Sequence, residues 1–343
     1  MKDIVISEGN LEIAMRKCMK GVSYKASVAR FYLCSLDEIP ELHKQLEDGT
    51  YKPRRPKQFT IYYPKLRNIV SIVFRDRVFQ RSFNDESVYP QMTKSFIYDN
   101  AACQKGKGTD FARMRVKKML QDFYRKHGAE GFVLKTDISK YYDSIPHEVA
   151  GKTFRKYLDD WSYNQAMIII SHQYPGDTGF NPGSQMIQIS GIAIPNPVDH
   201  AVKEKYHVKR YSRYQDDSLS IHQSKEFLED LLTHIEEMYG ELGLKLNKKK
   251  TKIYKLTDGF DYLGFRYRIT KTGKVLMTVS SEKVRQERRH LRKMVQKAKR
   301  GELTKKTVDD HFQGIITHYK KGDSYNVVNN MYKFYKELWE EQT

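Results

Sequence analysis

Adjacent aspartates occur three times in this 343-residue sequence, at 159–160, 216–217 and 309–310, and only the middle pair falls between two segments patterned as strands. Val208 to Tyr214 and Ser218 to His222 read as two short strands, so Gln215-Asp216-Asp217 forms the connection of a hairpin. Upstream, Gly131 to Asp137 (GFVLKTD) reads as a buried strand ending on a carboxylate, and Pro146 opens a helix running toward Leu158. A second helix is expected over Pro197 to His207. Downstream, Leu228, Leu231, Leu232, Ile235, Met238 and Tyr239 recur at helical spacing, and Leu244 to Leu246 and Phe260 to Tyr267 supply further strands. Strand, helix, hairpin, helix, strand is the order of a split βαβ sheet with helices on one face, an α+β arrangement. That topology brings Asp137 beside Asp216 and Asp217 although 79 residues separate the first two. The other pairs read differently. Asp159-Asp160 follows a helix and Asp309-Asp310 lies in a polar helical stretch, so both are solvated or capping acids.

Converging carboxylates are hard oxygen ligands of the kind magnesium takes. Two such ions held about 3.5–4 Å apart stabilise the attacking and leaving oxygens of an in-line displacement at phosphorus, the chemistry that joins a nucleotide to a growing strand. The pattern points to Asp137, Asp216 and Asp217 as catalytic residues holding two Mg2+ ions, with Mn2+ able to substitute. Charge points to the same class of partner. Sixty-one Lys and Arg against 42 Asp and Glu leave +19, an excess suited to a polyanion. Between Tyr51 and Arg81 nine basic residues face one acid, and between Ser281 and Lys306 eleven face three. Two basic runs bracketing a carboxylate-bearing centre describe a nucleic-acid channel.

Other classes are excluded by what the chain lacks. No run approaches the apolar length of a membrane span, and MKDIVISEGNLEIAMRKCMKG lacks a signal peptide's apolar stretch, so the expectation is a cytoplasmic protein without a membrane partner. Cys18, Cys34 and Cys103 are widely separated and expected in the core, giving neither a disulfide framework nor a zinc site. The histidines are expected on solvated surface. GKGT, Gly106 to Thr109, is too short for a phosphate-binding Walker loop. Thr109 is placed to cap a helix carrying Ala112, Val116, Met119 and Phe123. Gln58 to Phe74 reads as a β-hairpin with Lys65 and Arg67 at its tip.

In order along the chain, from about Tyr51 onward, these segments resemble bacterial reverse transcriptases of the group II intron-related lineage. KTDISKYYDSIPH, Lys135 to His147, is similar to the family's first catalytic motif, and RYQDDSLSIH, Arg213 to His222, to its Tyr-x-Asp-Asp box. IYYPKLRNIVSIVFRDRVFQ resembles the fingers motif, LGLKLNKKKTKI the segment bearing a conserved-type lysine, and FDYLGFRY the primer grip. The resemblance implies a right-hand polymerase: N-terminal extension and fingers over residues 1–130, a palm with an antiparallel split βαβ sheet over 131–270 carrying a fingers insertion at about 150–195, and a basic helical thumb over 271–343. It implies that Lys65 and Arg67 hold the incoming triphosphate, that Lys250 donates a proton to the leaving pyrophosphate, and that Tyr142 lies beneath the incoming sugar and excludes a 2′-hydroxyl. In the thumb, Val284, Leu291, Val295 and Ala298 form a buried stripe that turns Arg288, Arg289 and Arg292 toward nucleic acid.

Two departures refine the expectation. NPGSQMIQ, Asn181 to Gln188, replaces the intron enzymes' Pro-Gln-Gly, and Gly183, Ser184 and Gln188 fit better the pattern of diversity-generating retroelement enzymes, although Pro182 stands where the intron glutamine would be; the resemblance implies relaxed base-pair checking. Gln215 stands where alanine or methionine is usual. About 75 residues follow the primer-grip segment, room for a thumb but not for an RNase H, endonuclease or splicing domain, and no Asn-Ala-x-x-His motif of retron enzymes is found. The implied partners are a template RNA, in particular a cognate non-coding RNA, a DNA or RNA primer, dNTPs, and a protein partner or second copy. The setting is a retroelement or an anti-phage defence system. RNA-templated RNA synthesis, untemplated addition, and a silent RNA-binding protein on the same fold stay open as alternatives.

Overall fold

The computed structural model describes residues 1–62, 66–179 and 183–340, with the side chain of Arg67 outside that description. Nine strands run in chain order as β1 (Lys57–Ile61), β2 (Arg67–Ser71), β3 (Phe132–Asp137), β4 (Tyr211–Tyr214), β5 (Asp217–His222), β6 (Lys252–Lys255), β7 (Phe260–Tyr262), β8 (Phe265–Ile269) and β9 (Val275–Thr278). They form an antiparallel β1–β2 hairpin, a four-stranded sheet in the order β4-β5-β3-β6, and an antiparallel β7-β8-β9 sheet. The order places β3, with Asp137 at its end, directly beside the strand that Asp217 opens. The chain divides into two compact units, Met1–Ala112 with Lys135–Leu219 and Asp230–Lys252, and Arg113–Leu134 with Ser220–Glu229 and Ile253–Thr343.

In the first unit the helix Glu8–Met19 turns Leu11, Ala14 and Met15 inward and packs on Phe74–Phe83. The helix Gln185–Ala193 is capped by Ser184, whose Oγ accepts from Ile187 N, and is apolar on nearly every side. A helix of that composition is stable only when enclosed, and seven of its nine residues are buried. Asp159 caps Asp160–Gln173 by accepting from Ser162 N at 3.0 Å, as the capping reading of that acid pair requires.

The centre of this unit is a buried ion pair. Arg213 and Asp199 are both fully buried, and the guanidinium meets the carboxylate in a fork, Nε to Oδ1 and Nη2 to Oδ2 each at 2.7 Å. The remaining donors and acceptors are also used. Arg213 Nη1 donates to Gln215 O at 2.9 Å and Nη2 to Ile192 O at 2.8 Å, while Tyr211 OH donates to Asp199 Oδ1 at 2.7 Å. The backbone of Arg213 pairs with Asn100 as an isolated parallel bridge, and Ala101 N donates to Arg213 O at 3.0 Å.

Four local expectations are corrected. The helix expected over Pro197 to His207 runs as Asn196–His200 and then as a π-helical turn, Ala201–Lys205, ending before His207, which has φ +52°. Leu244 to Leu246 is not a regular strand: Leu246 alone pairs, as an isolated antiparallel bridge with Ile138. The helix Lys225–Glu241 ends with Gly243 at φ +67°, Leu244 N donating to Tyr239 O at 2.8 Å and Gly243 N to Gly240 O at 2.9 Å. That is a glycine-closed helix end in which Leu244 supplies the apolar contact, so its hydrophobicity reports a cap and β6 lies further on. Phe260 to Tyr267 is a two-strand hairpin whose connecting residues, Leu263 and Gly264, have φ +45° and +86°. Finally, no cysteine is core: Cys34 is exposed, and Cys18 and Cys103 are half-buried.

In the second unit Ser281–Lys299, Lys305–Tyr319 and Tyr325–Glu340 pack pairwise. Ser280 and Thr304 cap the first two, accepting from Lys283 N and Thr307 N. Leu291 and Val295 of the first are buried, as are Val308, Phe312 and Met331 of the other two, while Val284 and Ala298 are half-buried margins of the stripe. No helix of the described residues is long and apolar enough to cross a membrane.

Removing one partner of a buried charge pair strands the other in low dielectric, a penalty of about 3–5 kcal/mol. Arg213→Met is therefore expected to destabilise the protein by about that amount in urea denaturation, more than Arg213→Met combined with Asp199→Leu. Equal losses in the two variants would show that the stranded Asp199 charge is not the cause.

Candidate active site

β3 alternates inward and outward with Val133, Lys135 and Asp137 sharing one face, so the strand delivers a cation and a carboxylate to the same place. Asp137 is buried to 4% exposure, and Lys250 Nζ sits on its carboxylate at 2.7 and 3.0 Å. The backbone locks this end of the strand: Asn247 N donates to Asp137 O at 2.7 Å, Asp137 N donates to Thr251 Oγ1 at 3.3 Å, and Ile138 N donates to Asp216 O at 3.3 Å. The last bond joins the strand end directly to the Asp-Asp turn. Lys135 Nζ stands 3.5 Å from Asp217 Oδ1, a buried oxygen, and Thr136 and Ser218 share a hydroxyl hydrogen bond at 2.6 Å between the two strands.

The electrostatics follow from this crowding. Burial pushes Asp216 up to about 6, with the charges of Asp217 and Asp137 adding to the shift. Asp217 is raised too, by burial first, with Lys135 opposing and Asp137 assisting. Lys250 is raised by its hydrogen bond to Asp137, so it stays protonated at neutral pH. Among the described residues no three carboxylate, thiol or imidazole groups could hold a metal ion by themselves. The set nevertheless fits a hard divalent cation that takes part of its coordination from substrate phosphates. Its donors are oxygens, Asp217 Oδ1 is buried with its nearest ammonium at 3.5 Å, and the like charges around Asp216 are the strain a cation relieves.

Beside the aspartates, Lys140 at φ +46° turns the chain so that Tyr141 and Tyr142 follow, with ring centroids 5.1 Å apart. Tyr141 is fully enclosed and donates its hydroxyl to Gly191 O. Tyr142 is half-buried and its ring lies against Gly191, where an added Cβ would stand 2.8 Å from Tyr142 Cε1. Gln188, one turn earlier on that helix, accepts from Cys103 Sγ at 3.7 Å. Asp137, Asp216, Asp217, Lys250, Tyr142 and Gln188 thus belong to one unit. Lys65 lies outside the described residues, and Arg67 opens β2 with its side chain outside them.

The thumb arginines do not all face outward. Arg288 and Arg292 stack on Phe334 at 4.9 and 5.0 Å from its ring centroid, and Arg288 Nη2 reaches Asn330 O at 3.4 Å; Arg289 is exposed. The histidines expected on solvated surface are also engaged: His311 faces Glu287 at 3.7 Å, and His318 packs on Phe265 with Lys283 Nζ 3.4 Å from its Nε2. In the hairpin β7–β8, Arg113 donates to Leu263 O at 2.8 Å and lies over Phe265, holding the Leu263-Gly264 turn.

Three residues that shape the site were not singled out from the sequence. Lys135 was visible in principle, since alternation places it on the face of Asp137. Arg213 directly precedes the tyrosine of the box, yet its partner Asp199 lies 14 residues upstream with no local signal. Cys103 had none.

A strand-terminal aspartate beside an Asp-Asp hairpin in one sheet is the arrangement that a nucleotidyl-transferring polymerase requires. The chain belongs to the reverse transcriptase (RNA-dependent DNA polymerase) family, whose model matches residues 56–267. Its relatives include protein YkfC of Escherichia coli strain K12, 25% identical over 298 residues that cover 72% of this chain and 77% of that one. The retron Ec48 reverse transcriptase of Escherichia coli is 25% identical over 195 residues, 56% of this chain and 44% of that enzyme. Among solved structures, telomerase from Candida albicans in complex with a fragment of telomeric RNA matches at a TM-score of 0.50 and 12% identity, covering 86% of this chain and 62% of that one. This likeness shows the fold, a right-hand polymerase. The chain spans less than two thirds of the retron enzyme and of the telomerase chain.

Asp216 binds its proton more tightly in the folded protein than in the unfolded chain, where the ordinary aspartate value is about 4. Without a divalent ion, its contribution to stability is present below about pH 4 and is lost as pH rises through about 6. In chelator, Asp216→Asn is expected to melt above the parent at pH 8, with the gap closing near pH 4 and shrinking at pH 8 when magnesium is added. Thermal denaturation across that range checks it; an Asn variant no more stable at pH 8 would contradict the crowding described here.

Proposed function

We propose that the protein extends a primer with dNTPs on a dedicated RNA template, within a retroelement or an anti-phage defence system. The observation that supports it most is the gathering of Asp137, Asp216 and Asp217 at adjoining strand ends, where burial first, and then the charges of Asp217 and Asp137, raise Asp216 to about 6. Asp137, Asp216 and Asp217 would hold two magnesium ions, for which manganese substitutes, and these would supply charge stabilisation for the displacement at phosphorus. Lys250 is kept protonated by Asp137, the form a donor to the leaving pyrophosphate needs. Similarity to a retron enzyme supports a cognate non-coding RNA as template, with a DNA or RNA primer and a protein partner or second copy. In this reading residues 1–130 are the N-terminal extension and fingers, 131–270 the palm with its insertion at about 150–195, and 271–343 the thumb. Lys65 and Arg67 hold the triphosphate, Gln188 checks the base pair, and the location is cytoplasmic.

Loss of a metal ligand removes several kcal/mol of transition-state stabilisation. Asp216→Ala and Asp137→Ala should each cut primer extension on an RNA template by at least ~10³-fold while retaining RNA binding. Substantial extension by Asp216→Ala would sink the assignment.

Tyr142 is the proposed sugar gate. Tyr142→Ala should raise incorporation of rNTPs relative to dNTPs by roughly 10- to 100-fold. Tyr141→Ala should leave sugar choice alone and instead lower the melting temperature, because it deletes an enclosed ring bonded to Gly191 O. A parent that already prefers rNTPs would move the assignment to RNA synthesis.

In the thumb, Arg289→Glu should weaken RNA binding and lower the salt slope by about 1 without changing stability. Arg288→Glu and Arg292→Glu should weaken binding and also destabilise, since both leave the Phe334 ring. Filter binding across salt concentrations with parallel melts separates the two; unchanged affinity in the triple reversal would remove the thumb from the RNA path.

A further inference from the structure

Gln215 and Cys103 are non-glycine residues in the left-handed region, at φ +55° and +52°, and their side chains meet. Gln215 Nε2 donates to Cys103 Sγ at 3.5 Å, and Cys103 Sγ donates to Gln188 Oε1 at 3.7 Å. The three groups connect the turn that carries Asp216 and Asp217, the loop after Asn100, and the enclosed helix Gln185–Ala193. Chemistry sets the direction of this relay. An amide NH2 can only donate, so the sulfur accepts from Gln215 and turns its single hydrogen toward the carbonyl oxygen of Gln188. That fixes which way the Gln188 amide faces and leaves its NH2 to donate elsewhere. Burial holds the Cys103 thiol above its ordinary value, so it is protonated, as donation requires. Gln188 lines two cavities of the same unit, one of about 290 Å³ beside Lys20, Arg77 and Arg81, the other of about 280 Å³ beside Cys103 and Lys105. Gln188 therefore stands at the wall between two spaces, one lined by Lys20, Arg77 and Arg81 and the other by Arg81, Asp85 and Lys105.

We infer that Gln215 and Cys103 are positioning residues that fix the amide of Gln188 and so set how strictly the paired nucleotide is selected. This rests on the polymerase reading above and on Gln188 meeting the nascent base pair. Neither Gln215 nor Cys103 needs to touch substrate. Loss of either leaves the Gln188 amide able to rotate, and selection falls.

Two measurements on the full chain test this separately. In single-nucleotide incorporation, Gln215→Ala and Cys103→Ala should each lower the ratio of correct to mismatched kcat/KM by ~5-fold, the equivalent of one neutral hydrogen bond, about 1 kcal/mol. The double variant should lose no more than either single one, since both act through the same chain of contacts. Cys103→Ser should recover most of the ratio, because a hydroxyl both accepts and donates. Unchanged discrimination, additive losses, or a serine variant as poor as alanine overturns the proposal. The second measurement needs no polymerase activity. With Cys18 and Cys34 replaced by serine, the alkylation rate of Cys103 by iodoacetamide reads its thiolate fraction. Gln188→Ala removes the acceptor that favours the thiol and should speed alkylation; Gln215→Ala removes the donor that favours the thiolate and should slow it. Equal changes of one sign would mean altered exposure alone, and the relay would be absent. Opposite signs in a parent that extends no primer would leave the relay standing and refute the polymerase reading, and with it the role in selection.

Discussion

The pairing of Arg213 with Asp199 is the interaction on which the site depends. A fully buried guanidinium is tolerated only when its donors are satisfied, and here they meet one carboxylate in a fork and two backbone carbonyls. Those carbonyls are the informative part. Gln215 O belongs to the turn that carries Asp216 and Asp217 and Ile192 O to the enclosed helix that supports Tyr142, so one side chain ties the two together. A salt bridge of this kind is weak evidence for stability and better evidence for specificity, since hydrophobic residues could fill the volume but could not hold two carbonyls at set positions.

The charge arrangement around the aspartates is a second constraint. Three carboxylates at adjoining strand ends repel one another, and the protein opposes this with two lysines placed differently. Lys250 sits directly on Asp137 with more than half its side chain exposed, whereas Lys135 is enclosed and stands off Asp217 at 3.5 Å. The result is asymmetric: Asp216, with neither lysine on it, carries the largest displacement toward the protonated form. A divalent ion held by the three would relieve most charge at Asp216, and Lys250 is the more accessible of the two lysines. The enclosed Lys135, by contrast, is fixed with β3.

The convergence of Asp137, Asp216 and Asp217 was legible in the sequence because two strand patterns and a turn bracket them, and because periodicity makes a strand end identifiable. The same logic misread Leu244 to Leu246, where apolar residues serve a helix end closed by Gly243 rather than a strand. Short apolar runs carry no information about which of these they do; only the hydrogen bonds to Tyr239 and Gly240 decide it. Phe260 to Tyr267 is strand-forming as expected, but its turn was not legible, since Leu263 takes a left-handed conformation that no local preference would assign to leucine. Arg113 supplies that conformation by binding the Leu263 carbonyl from a helix 150 residues away in sequence. The helix Ser281–Lys299 shows the limit of face patterning. A stripe of Val284, Leu291, Val295 and Ala298 locates the buried side correctly, yet arginines can border such a stripe with their planar groups laid on an aromatic ring, as Arg288 and Arg292 do on Phe334.

Backbone strain gives the last link between fold and chemistry. Five described non-glycine residues have positive φ, and three of them, Cys103, Lys140 and Gln215, surround the aspartates. Each costs of order 1 kcal/mol or more and persists only where neighbours over-determine it. For Gln215 the neighbour is Arg213 Nη1 on its carbonyl. For Lys140 it is the following helical turn, since Asp143 N and Ser144 N both donate to Lys140 O at 2.9 and 3.0 Å. For Cys103 it is the loop between the Arg213 backbone bridge and the amide of Gln104, whose Nε2 donates to Asn100 O at 2.7 Å. Two of the three supports therefore trace to Arg213, one through its guanidinium and one through its main chain. An unstrained turn at Gln215 would not leave its carbonyl pointing at that guanidinium, so the strain and the buried ion pair specify each other, and the carboxylates are aimed by both.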